Sequence, residues 1–132
     1  MIEKLKTGIE GLDALLYGGL PKGRAVLVAG EPGTGKTLLC LQFLLEGLSH
    51  GEKAIYITID EKPEHLLLDA ESLGWELGAY LASGQLQILD VTRYFSTAQI
   101  DENEGIDVTR ITEDIVAFVG EHRASRVAID PV

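Results

Sequence analysis

Gly30, Glu31, Pro32, Gly33, Thr34, Gly35, Lys36 and Thr37 fill the spacing G-x-x-x-x-G-K-[ST] in full. The chemistry served by this spacing is the cradling of phosphate. Its glycines permit positive φ, so consecutive backbone N–H groups can turn inward around an anion that side chains would otherwise block. Lys36 is placed to reach β and γ oxygens and the Thr37 hydroxyl to ligate magnesium, while the positive end of the following helix favours the same charge. The pattern implies a bound nucleoside triphosphate. A glycine turn that merely caps a helix is the bland alternative, and the strand-like run before the loop and the helix-like run after it argue against that.

Phosphoryl transfer asks a protein for charge neutralisation, a magnesium ion and a group that orients the attacking water. Asp130 closes the apolar run RVAID that begins at Arg126, the form of a Walker B acid holding magnesium through water. Asp60 and Glu61 follow the apolar residues 55–59, so a second pair of acids stands at the carboxyl end of a strand, where open α/β sheets place their ligands. One of the pair is expected to polarise water. Without the phosphate loop each acid also fits ordinary turn chemistry, since strands often end in Asp and the neighbouring Glu52, Lys53 and Lys62 are polar.

The elements that must position these groups alternate along the chain. Tyr17, Gly18, Gly19, Pro21 and Gly23 punctuate a loop that leads into residues 25–29, a continuously apolar run that predicts the first core strand of a sheet covered on both faces. After Lys36 the apolar residues run almost all round a helix, with Gly47 and Gly51 as stop signals. Residues 54–59 predict a second buried strand, and Pro63 opens a helix as a first-turn proline can. Residues 86–89 predict a third strand, Ile111, Ile115, Phe118 and Val119 recur at helical spacing, and residues 127–129 predict a fourth strand. Residues 94–107 are polar and acidic and predict a loop. The alternation argues a parallel sheet with helices on both faces, joined by right-handed crossovers.

The 132 residues are 45% hydrophobic, enough for the core of one domain. Lys and Arg number 11 against 21 Asp and Glu, and a net charge of -10 opposes nucleic acid and anionic membranes alike. The single cysteine, Cys40, has no partner for an internal disulfide and sits in an apolar stretch, as a core residue of a cytoplasmic protein would. No apolar run approaches the roughly 18 residues that span a bilayer, and the start MIEKLKTGIE lacks an apolar signal region. His50, His65 and His122 lack metal-ligand spacing and read as surface residues; Trp75 and Tyr80 read as cover for the sheet.

Taken together these residues resemble the KaiC-like branch of the RecA superfamily of ATPases, over almost the whole chain. The stretches TGIEGLD from Thr7 and GGLPKG from Gly18 look like the family's lead-in, and YITIDE from Tyr56 like its second strand with paired acids. Leu73, Gly74 and Trp75 look like its next helix end, and Arg126 to Asp130 like its Walker B strand. The resemblance implies a three-layer RecA-like core with a mostly parallel sheet flanked by helices. It also implies ATP hydrolysis with magnesium and assembly into homo-oligomeric rings, commonly hexamers. Two departures stand out. The first of the paired acids is Asp60 where the family usually has glutamate. The chain also reaches only Val132, where a family domain continues with further strands, so residues 1–132 read as a single partial domain lacking its C-terminal strands. In that family a later strand lies between the phosphate-loop strand and the Walker B strand, so two unpaired edges and self-association are expected.

Three functions compete at this point. The first is an ATPase domain with a signalling or regulatory role, in which Lys36 and Thr37 meet phosphates and magnesium, Asp60 or Glu61 orients water and Asp130 supports the metal. The second is an ATP-dependent assembly switch with negligible hydrolysis, favoured by Asp60. The third, a RadA-like recombinase core, would bind DNA through segments beyond Asp130, and the acidic charge leans against it.

Overall fold

A computed structural model of the protein describes residues 3–30, 35–59, 61–91 and 108–130. At its centre is the second of the expected buried strands. Ala54–Thr58 forms a strand, β3, with all five residues buried. It pairs in parallel with β4, Leu86–Asp90, on one side and with β5, Arg126–Asp130, on the other. Alternation along β3 sends Ala54 and Tyr56 to one face and Ile55 and Ile57 to the other.

The first face is covered by α2, Lys36–Ser49, through Leu41, Leu44 and Leu48, and by α3, Pro63–Ser72, through Leu66 and Ala70. Truncating any one of these buried leucines to alanine typically costs about 2–5 kcal/mol. The second face is covered by α5, Val108–His122, whose Ile115, Phe118 and Val119 pack on Ile55, Ile57 and Val91. Helices therefore flank a three-stranded parallel sheet on both sides, the layered architecture expected from the alternation. A short helix, α4, Gly78–Ser83, precedes β4 and was not legible in the sequence; Tyr80 within it and Trp75 before it are half-buried against the first cluster.

Helix ends explain several glycines. Past α2, Gly51 at φ 82° lets its N–H donate to Leu48 O and the Glu52 N–H to Gly47 O, which is a complete Schellman closure. α3 closes the same way, with Gly74 N–H on Glu71 O and Trp75 N–H on Ala70 O. The Leu-Gly-Trp stretch is thus a helix stop whose tryptophan folds back on the core.

Ahead of the sheet, β1, Lys4–Leu5, pairs antiparallel with β2, Leu20–Pro21, around α1, Glu10–Leu15. The Asp13 carboxylate draws this lead-in together by accepting from Thr7 N at 2.8 Å, Thr7 Oγ1 at 2.7 Å and Gly8 N at 3.2 Å. Burial alone would raise the Asp13 pKa, but these donors outweigh it and hold the group below its ordinary value.

One expectation is overturned. The apolar residues 25–29, expected as the first core strand, lie outside the sheet, and Val26, Leu27 and Val28 are 47%, 73% and 44% exposed. A strand is buried only where a neighbour accepts its ladder, and among the described residues none pairs with this run. β5 likewise pairs on one side only, so the sheet order is β4-β3-β5. The strand expected over 54–59 ends at Thr58, while those expected over 86–89 and 127–129 extend to Asp90 and over Arg126–Asp130. The expected loop over 94–107 lies outside the described residues.

Gly47 lies on the buried side of α2. A Cβ there would come 2.5 Å from Arg126 Cδ and 2.6 Å from its Nε. Gly47→Ala is therefore expected to destabilise the fold by about 1–3 kcal/mol despite alanine's better helix propensity, measured by urea denaturation.

Candidate functional site

The parallel register brings the carboxyl ends of all three strands to one level, pairing Thr58 with both Asp90 and Asp130. α2 packs against β5 and opens at that same end. Gly35, left-handed at φ 91°, turns the chain into the helix with no side-chain cap, which leaves the first-turn N–H groups available to an anion. Lys36 and Thr37 are the first two helical residues.

The Thr37 hydroxyl donates to Asp130 Oδ2 at 2.7 Å, joining residues 93 positions apart. The contact brings together the start of the helix after the phosphate-loop pattern and the acid that closes the last strand. The Lys36 ammonium donates to the Gly30 carbonyl oxygen at 2.5 Å, folding across the loop it belongs to. A hollow of about 350 Å³ lies there, lined by Val28, Ala29, Gly30, Gly35, Lys36 and Leu39. Glu31, Pro32, Gly33 and Thr34, the middle of the loop, lie outside the described residues, as does Asp60.

Glu61 is positioned by a residue the sequence reading did not single out. The buried Thr58 hydroxyl accepts the Glu61 N–H at 3.1 Å and donates to the Glu61 carbonyl oxygen at 2.6 Å, closing a tight turn at the end of β3. Burial, then the hydrogen bond and charge of Asp69 and the charge of Asp130, raise the Glu61 pKa above its ordinary value, with His65 opposing. A carboxylate so placed is a better proton acceptor than an exposed glutamate.

Two further groups were missed. Tyr56, 1% exposed on β3, donates its hydroxyl to the same Asp130 Oδ2 at 2.5 Å. Arg126, 4% exposed, donates to Glu52 Oε1, Lys6 O and Phe43 O, and stacks over the Phe43 ring at 4.7 Å. A tyrosine and an arginine inside apolar strand patterns carry no spacing signal, so only the fold shows what they touch. Cys40 is half-buried, and burial followed by the charge of Asp130 pushes its thiol up to about 11. Of the histidines, His50 is exposed beside Glu46 and the His122 ring packs tilted against that of Phe118.

Among the described residues no cluster of three or more His, Cys, Asp or Glu side chains could hold a metal ion. Thr37 and Asp130 instead present two oxygen donors beside the helix start, a set that suits a hard cation arriving with phosphate oxygens. No helix among the described residues is long and apolar enough to cross a membrane.

A parallel sheet between helical layers, with a hydroxyl opening one helix bonded to an acid closing one strand, is the arrangement expected of the RecA superfamily of nucleotide-binding domains. The family profile described as "ATPase: KaiC" matches residues 5–132, and the chain belongs to that family. It is 40% identical over 132 residues to the circadian clock oscillator protein KaiC of Parathermosynechococcus lividus, a match covering 99% of this chain and 24% of that protein. It is 39% identical to the KaiC of Synechococcus elongatus, covering 99% of this chain and 25% of that one. A UPF0273 protein of Thermotoga maritima is 36% identical over 137 residues, covering the whole of this chain and 57% of the relative. The chain thus spans about a quarter of the length of the KaiC relatives.

Proposed function

We propose that the chain is a nucleotide-binding domain that takes up ATP with magnesium at the start of α2 and hydrolyses it. The observation that carries this reading is the 2.7 Å hydrogen bond from Thr37 to Asp130, which puts a hydroxyl after a glycine loop against an acid at a strand end. The backbone of Gly30, Glu31, Pro32, Gly33, Thr34 and Gly35 cradles the phosphates, and Lys36 turns from Gly30 O to their terminal oxygens. Thr37 would help hold magnesium through its hydroxyl oxygen, which keeps donating its proton in the hydrogen bond to Asp130. The ion, when bound, neutralises charge that develops on the phosphate oxygens. Glu61, or Asp60 beside it, orients and polarises the attacking water.

The domain acts in the cytoplasm in a regulatory role, as a homo-oligomer; membership of a family that includes clock oscillator proteins supports the regulatory part. The net charge of -10 leaves nucleic acid out of the reading.

Isothermal titration of ATP with magnesium into wild type and Lys36→Ala tests the site, with phosphate release followed on the same samples. Loss of the charge-assisted contacts should weaken binding about 10- to 100-fold. Equal affinity in the two proteins would remove Lys36 from the site.

A second reading is favoured by the exposure of Val26 and Leu27 next to residues lining the Lys36 hollow. Nucleotide and apolar surface then share one segment, so ATP acts as an assembly switch. Nucleotide-dependent oligomerisation by light scattering, without phosphate release, is its signature.

A further inference from the structure

Among the described residues Tyr56 is the one fully buried titratable side chain at the site for which the proposed reaction has no use. Its ring belongs to the cluster under α2, and a phenylalanine would fill the same space. What the hydroxyl adds is the 2.5 Å bond to Asp130 Oδ2, the oxygen that also accepts Thr37 Oγ1 at 2.7 Å. A carboxylate oxygen offers two lone pairs, so these two donors occupy Oδ2 in full. Among the described residues no donor reaches Oδ1, which is left for a partner outside the side-chain network.

The Tyr56 hydroxyl donates to Asp130 while its ring is held in the cluster under α2, so the packing of the ring fixes where the donor sits. Thr37 alone is a weaker restraint, because its hydroxyl would serve the cation as well as Asp130. Tyr56 sits in the middle of the central strand with its ring buried in the cluster under α2.

We infer that Tyr56 is a positioning residue for magnesium, fixing the Asp130 carboxylate so that Oδ2 serves Thr37 and Oδ1 faces the ion's water shell. This rests on the ATP–magnesium reading above. Groups that orient a ligand's partners in this way typically change metal affinity 10- to 100-fold when lost.

The test is titration of ATP into wild type and Tyr56→Phe, each with excess chelator and with saturating magnesium, alongside thermal melts. The readout is the factor by which magnesium tightens ATP binding. The expected result is the same magnesium-free affinity in both proteins and a factor about tenfold smaller in Tyr56→Phe. Replacement of magnesium by Mn²⁺, with free Mn²⁺ read by electron paramagnetic resonance, should show the same weakening without any turnover. An unchanged factor overturns the inference and leaves the hydroxyl as a satisfied core group. An equal loss with and without magnesium also overturns it, because the hydroxyl then supports the fold and not the ion. If wild type binds no ATP under either condition, the parent reading fails first, and this one with it.

Discussion

Arg126→Ala is expected to lower stability by about 3–5 kcal/mol, a large share of the roughly 5–15 kcal/mol that holds a domain of this size together. The side chain is 4% exposed, and its loss would remove the ion pair with Glu52 and the donors that Lys6 O and Phe43 O now accept from. It would also empty the space over the Phe43 ring. Lysine cannot repair this, since one ammonium does not reproduce the guanidinium fork that serves three acceptors at once. Urea denaturation of Arg126→Ala and Arg126→Lys measures the loss, and a change under about 0.5 kcal/mol in both would class the site with ordinary surface positions. Acid adds a second check. Burial alone would raise the Glu52 pKa, but the Ser125 and Arg126 hydrogen bonds and the Arg126 charge outweigh it and depress the value. A depressed carboxylate contributes stability above its unfolded pKa and loses it as pH falls through the folded value. Wild type should show that decline below the ordinary glutamate range, and Arg126→Ala, which keeps only the Ser125 hydrogen bond of these, should show a smaller one.

The second large effect is kinetic. With Asp60→Asn and Glu61→Gln together, phosphate release at saturating ATP and magnesium should fall by about 10²- to 10⁴-fold, while ATP affinity stays within a few fold. Unchanged release in the double variant would remove both acids from catalysis. Because burial and the Asp69 carboxyl raise Glu61, release should climb with pH through a midpoint above the ordinary value of about 4.3. Asp69→Asn should move that midpoint down. The same shift makes protonated Glu61 a stabilising contribution present below the ordinary value and lost as pH rises through the raised one.

Much of this was legible in the residues. The continuous apolar runs of β3 and β5 and the 3.6-residue recurrence of Ile111, Ile115 and Phe118 report local rules that the fold obeys. The run at 25–29 obeys the same local rule and still lies outside the sheet, because hydrophobicity states that a strand should be covered but cannot supply its neighbour. α4 escaped notice because six residues, opening at Gly78 with no side-chain cap, carry too few turns for a period to appear. Tyr56, Thr58 and Arg126 look like ordinary members of apolar strands, and their polar atoms acquire meaning only through partners that register and packing bring to them.

β5 fastens α2 in two places. Its first residue, Arg126, grips the Phe43 carbonyl and reaches the lead-in at Lys6, while its last, Asp130, holds Thr37 in the first turn of the helix. A rod bolted at two points to one beam cannot pivot about either bolt without dragging the beam. Any displacement of the Lys36 end of α2 is therefore passed along five residues of strand to the opposite side of the sheet, where it pulls on Lys6 and the hairpin beyond.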